Sequence, residues 1–96
     1  MKTTLLLLLF VTLGHAADAQ KAAEAWQQSL TAESSSDFTT SMQHVISFKN
    51  AGGDPYLASV RAGWLSFQSK DYEKAVQFYT AAIKYEPRAI TPHLGL

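Results

Sequence analysis

The stretch Asp71-Tyr72-Glu73-Lys74-Ala75-Val76-Gln77-Phe78-Tyr79-Thr80-Ala81-Ala82-Ile83-Lys84-Tyr85-Glu86-Pro87 decides the fold. It follows Gly63-Trp64-Leu65 at the distance that a helix, a tight turn and a second helix require. Gly63, Ala75 and Ala82 are small residues placed where two helices must cross closely. Tyr72 and Tyr79 are aromatics placed to fill the gap between them, and Pro87 stops the second helix.

Working outward, the spacing predicts four helices. The first covers roughly residues 20–34, where Ala22, Ala23, Trp26 and Leu30 recur at helical spacing. Ser34-Ser35-Ser36-Asp37 breaks it and offers oxygens to the free amides of the next helix. The second runs from near Asp37 or Phe38 to about Asn50, with Phe38, Met42, Val45, Ile46 and Lys49 on one face. Ala51-Gly52-Gly53 ends it, and Asp54-Pro55 reads as an N-cap followed by proline in the first turn. The third covers about 55–69, with Leu57, Val60, Trp64 and Phe67 at spacings of three and four. The fourth covers about 71–85. Residues 90–96 are expected to open a fifth helix, with Thr91-Pro92 as its start. No segment alternates with period two for long enough to read as a strand, so the fold class is all-α.

The chain repeats internally. Asp37-Phe38 and Asp71-Tyr72 stand 34 residues apart, and the same offset pairs Ser29 with Gly63, Leu30 with Trp64, Ser41 with Ala75 and Val45 with Tyr79. The first copy lacks the glycine, the alanine and the proline stop, since Gly53 sits where the offset expects Pro87. This pattern resembles the tetratricopeptide repeat, a helical hairpin of about 34 residues that stacks into a solenoid. The resemblance covers residues 54–87 as a repeat and 20–53 as a degenerate one. His93-Leu94-Gly95-Leu96 is similar to Arg61-Ala62-Gly63-Trp64, so 88–96 is expected to begin a third. Because about three repeats are usually needed to bury the apolar faces, the chain is expected to be the N-terminal part of a longer repeat protein.

The resemblance implies a function. The first helix of each repeat in that family lines a concave groove that binds peptides or extended segments. Carried over by position, the lining is Trp26 and Leu30 from the first copy, and Leu57, Val60, Trp64, Phe67 and Gln68 from the second. Trp64 and Phe67 form the expected anchor pair. Gly63, Tyr72, Ala75, Tyr79, Ala82 and Pro87 are expected to be structural. Some members hold a carboxylate with a basic clamp, but Arg61 and Lys70 do not converge in sequence, so no clamp is assigned.

The N-terminus carries its own message. Lys2 is followed by an apolar run over 5–13 and by the small residues Gly14, Ala16, Ala17 and Ala19. This is the layout of a secretory signal peptide over residues 1–19, with cleavage expected before Gln20 or, nearly as well, before Ala17. The run is too short to span a bilayer comfortably, so no stable membrane span is expected after cleavage. The protein is therefore expected to be exported, to the periplasm or the extracellular space. A mature chain starting at Gln20 has about 77 residues, a size at which a single core is marginal without added support.

Composition excludes several classes. The 96 residues carry 8 basic and 8 acidic side chains, scattered, so no nucleic-acid partner is expected. There is no cysteine, hence no disulfide, thiol nucleophile or Cys-based zinc site. His15, His44 and His93 form no ligand spacing, and no metal or other cofactor is expected. There is no Gly-x-Ser-x-Gly elbow and no phosphate loop. The acids Asp54 and Asp71 are better explained as N-caps than as general acids. The leading expectation is a non-catalytic exported scaffold with a protein or peptide partner, or one that self-associates. The alternatives are an accessory N-terminal segment of a larger exported enzyme, and a small helical bundle with no repeat-based binding role.

Overall fold

The structure, a computed structural model, describes the backbone of residues 2–86 and the side chains of residues 18–86. Four helices follow one another: α1 (Lys2–Ser34), α2 (Phe38–Asn50), α3 (Pro55–Gln68) and α4 (Tyr72–Tyr85). Among the described residues there is no strand, and the chain is all-α. The expected stop at Pro87 and the expected fifth helix lie outside the described residues.

Each short helix starts where its cap dictates. The Asp37 carboxylate accepts the Thr40 amide at 3.2 Å, Asp54 accepts the Tyr56 amide at 2.8 Å, and Asp71 accepts the Lys74 amide at 3.2 Å. Each bond satisfies an amide that has no partner inside the helix. The expected first helix differs most from what the chain adopts. It begins not near residue 20 but at Lys2, and runs unbroken through 20–34. Residues 2–34 hold no proline and a single glycine, Gly14, within a Leu- and Ala-rich sequence, so nothing interrupts the helix.

Three helix ends share one turn. After α1, the Ser36 amide bonds the Glu33 carbonyl at 2.8 Å and the Asp37 amide bonds the Ala32 carbonyl at 2.9 Å. After α3, the corresponding bonds run from Lys70 to Phe67 at 3.0 Å and from Asp71 to Ser66 at 2.8 Å. Gly52 and Gly53 close α2 in the same way. This paired pattern is the Schellman motif, which needs a left-handed residue just past the helix. Gly52 supplies it with φ 94°, but Ser36 (φ 58°) and Lys70 (φ 66°) adopt it at a steric cost. The two hairpins thus turn alike at positions 34 residues apart, down to the dihedrals of Asp37 (φ −89°, ψ 76°) and Asp71 (φ −90°, ψ 76°).

The helices pack α1 on α2, α2 on α3 and α3 on α4. The core holds Ala22 and Ala25 of α1, Val45 and Phe48 of α2, and Ala58, Ala62 and Leu65 of α3. The pairs related by the offset share their burial: Ser29 and Gly63 are both buried, as are Ser41 and Ala75, and Val45 and Tyr79. A methyl group on Gly63 would lie 2.9 Å from the Tyr79 ring, so close crossing and glycine go together here. In the first hairpin the corresponding positions carry Ser29, larger than glycine, and Val45, smaller than tyrosine, and both are buried. Burial also pushes the Tyr79 phenol pKa up. Tyr72 does not fill a gap as expected. It lies at the first position of α4, beyond the crossing, and is exposed against the edge of Phe67 with ring centres 5.5 Å apart.

Candidate functional site

The α3 residues expected to line a groove reach the surface together. Leu57 is 42% exposed, Trp64 42% and Phe67 51%, with Val60 half-buried and Gln68 exposed beside them. Their spacing over i, i+3, i+7 and i+10 sets them in one stripe along the helix. The Trp64 and Phe67 rings stack with centres 6.1 Å apart, and Tyr72 continues the row. From α1, Leu30 is exposed, whereas Trp26 is half-buried and packs at 5.0 Å on Phe48. Trp26 is therefore chiefly a core-edge residue. Gly63, Ala75, Tyr79 and Ala82 are buried in the second hairpin.

What anchors Trp64 in this stripe is a polar cluster that the sequence reading left as scattered charges. Arg61 of α3 is 9% exposed and reaches back to α1 and α2. Its Nη1 meets Glu33 Oε1 at 2.8 Å. Its Nε and Nη2 donate to Ser29 Oγ at 3.2 and 2.8 Å, and Nη2 also donates to Ser41 Oγ at 3.3 Å. The guanidinium lies 5.5 Å from the centre of the Trp26 ring, within cation–π range. Glu33 Oε2 accepts the Trp64 indole N–H at 2.9 Å.

The proton positions follow from hydroxyl chemistry. A serine hydroxyl has one proton and two lone pairs. Ser41 Oγ donates its proton to the Ser29 carbonyl at 2.8 Å, so the 2.9 Å contact between the two hydroxyls is donated by Ser29. Each hydroxyl then accepts with its lone pairs: Ser29 from Arg61 twice, Ser41 from Ser29 and Arg61. Among the described residues no buried side-chain nitrogen or oxygen lacks a partner. A satisfied network of this kind holds its members in place. Burial tends to raise the Glu33 carboxyl pKa, but the Trp64 and Arg61 hydrogen bonds and the Arg61 charge outweigh it and hold it below the usual value.

The sequence does contain a signal for this cluster. Ala58, Arg61, Ala62 and Leu65 share the buried stripe of α3, and a charged residue in that register needs partners. The partners could not be named, because Glu33, Ser29 and Ser41 lie 28, 32 and 20 positions away on other helices. With Arg61 committed inward, the described residues present no basic clamp built around it.

A second concavity lies on the opposite side of α3, between α2 and α4. It is a cleft of about 430 Å³, lined by the α2 face read from the sequence together with Ala58 and Ala62 of α3 and Phe78 of α4. Among the described residues no group of three or more His, Asp or Glu side chains is placed to hold a metal. No helix among them is long and apolar enough to cross a membrane. The fold and the site define an all-α protein of helical hairpins with a preorganised aromatic face. Compared with known proteins, the chain matches no family model, no curated protein and no solved structure.

Proposed function

We propose that this protein is an exported, non-catalytic scaffold of tetratricopeptide-like hairpins that binds a protein or peptide through the outer face of α3. One observation carries this reading: Trp64, Phe67 and Tyr72 form an exposed aromatic row, and the indole at its Trp64 end is anchored by Glu33. Large aromatics with few rotatable bonds lose little entropy on binding, and a fixed indole loses less still. Apart from inward-facing Arg61, α3 has no charged residue, so the face suits an apolar or aromatic segment. The recurrence of the same turn 34 residues apart supports the repeat reading, and the residue pattern over 1–19 supports export.

The test is selection of binding peptides from a random library, followed by titration against variants. Trp64→Ala and Phe67→Ala should each weaken binding by about tenfold or more, as interface anchors do. Ile46→Ala, on the other side of the molecule, should leave it unchanged. Selected peptides that bind Trp64→Ala and Phe67→Ala as well as the unaltered protein would end the proposal, as would loss in strict proportion to a fall in melting temperature.

A further inference from the structure

The cleft between α2 and α4 has an apolar floor and a one-signed rim. Val45, Ala58 and Ala62 form the floor with the buried Ser59 as its one polar member, Met42 and Phe78 close the sides, and Ile46 and Gln77 are exposed at the edge. Lys49 and Lys74 are the charged residues that line it, and no carboxylate does. Its volume of about 430 Å³ falls in the range of small-molecule sites.

The two lysines are not equivalent. Lys74 lies 3.9 Å from the Asp71 carboxylate, whereas the ion pairs among the described residues leave Lys49 without one. The connected helices run antiparallel in turn, so α2 and α4 point the same way. Lys49, in the last turn of α2, and Lys74, in the first turn of α4, therefore mark opposite ends of the trough. By the 34-residue offset about 13 Å separates them along the axis. Lys74 is already drawn towards Asp71, and the unpaired Lys49 is the available seat for an anionic head.

We propose that this cleft binds a single-chain fatty carboxylate. The carboxylate pairs with Lys49 and the alkyl chain lies over Val45, Ala62 and Phe78 towards Lys74. Charge selects the head, and the apolar floor takes the tail. This site is separate from the aromatic face of α3 and does not rest on the function proposed for it.

The experiment uses the full chain, carbon-13 labelled at its methionine methyls, and titrates dodecanoate below its micelle concentration. Calorimetry gives the affinity, and the Met42 methyl resonance reports the site. Dodecanol and dodecyltrimethylammonium serve as the neutral and cationic counterparts. The expected result is saturable one-to-one binding of dodecanoate that moves the Met42 resonance, with both counterparts weaker by about tenfold or more. Lys49→Glu should weaken dodecanoate by a similar factor, Lys74→Glu by less, and Trp64→Ala not at all. Circular dichroism of the variants, whose altered lysines are exposed, verifies that they stay folded. Equal binding of the cationic amphiphile, an unmoved Met42 resonance, undiminished binding by folded Lys49→Glu, or binding to anionic phosphatidylglycerol vesicles without binding of free dodecanoate would each overturn the proposal.

Discussion

Replacing Arg61 by methionine tests the polar cluster directly. Methionine keeps most of the apolar stem and removes the guanidinium. Four polar contacts shorter than 3.4 Å disappear, together with the stacking over Trp26. Removing one partner of a fully buried ion pair costs about 3–5 kcal/mol, because the other charge is left stranded. Here the stranding is incomplete. The Glu33 side chain keeps 22% of its exposure and its bond from Trp64, while Ser29 and Ser41 keep each other. We therefore expect a loss of about 2–3 kcal/mol at pH 7, which is roughly 8–24 °C of melting temperature for a domain of this size. The dependence on pH has a defined sign. The folded-state pKa of Glu33 is lowered, so its contribution is present above the unfolded value of 4.5 and is lost as pH falls through the folded value. In Arg61→Met the carboxyl loses the arginine's hydrogen bond and charge, so the difference between the proteins should narrow in acid. Urea unfolding followed by circular dichroism at pH 7 and near pH 3 measures both effects. A loss below about 0.5 kcal/mol at pH 7, or an equal loss at both pH values, would refute the account of the cluster.

Further predictions concern the hairpins. Gly63→Ser should destabilise by about 1–3 kcal/mol through contact with the Tyr79 ring. Adding Tyr79→Val, which puts the residues of the corresponding first-hairpin positions, Ser29 and Val45, into the second, should recover part of that loss in a double-mutant cycle. Ala75→Leu, at a buried crossing position, should also cost about 1–3 kcal/mol by thermal melting. Ser36→Gly should raise the melting temperature by up to about 1 kcal/mol equivalent, since glycine accepts the left-handed turn freely. Asp71→Ala should lower stability by about 1 kcal/mol in urea unfolding through loss of the bond to the Lys74 amide.

Local chemistry made α2, α3 and α4 legible. Asp54-Pro55, Asp71 and Gly52 are punctuation whose physics is confined to a few residues, and the helix bounds follow from it within a residue or so. The exposed row on α3 was legible for a similar reason, since its periodicity is internal to one helix. The extent of α1 was not. A change of composition near residue 20 reads as a boundary, but a helix ends only where something breaks it. Tyr72 was misplaced because the spacing of aromatics does not say which end of a crossing each occupies. The Arg61 cluster and the α2–α4 cleft are tertiary: each draws on three helices, and no window of sequence contains them.

The cluster also gives the array a direction. Arg61 finds its acceptors on the preceding hairpin at Ser29, Glu33 and Ser41. One repeat further on, those positions hold Gly63, Phe67 and Ala75, which offer no side-chain oxygen. A copy that swapped its own α3 from the first hairpin onto the outer side of another copy's α4 would have to pull Arg61 from its acceptors and set the guanidinium against an aromatic ring and two small residues. The uncompensated charge would cost several kcal/mol, enough to cancel much of what an apolar contact gains. Domain swapping, in which one hairpin leaves its own neighbour for that of another copy, is thereby discouraged by a single arginine.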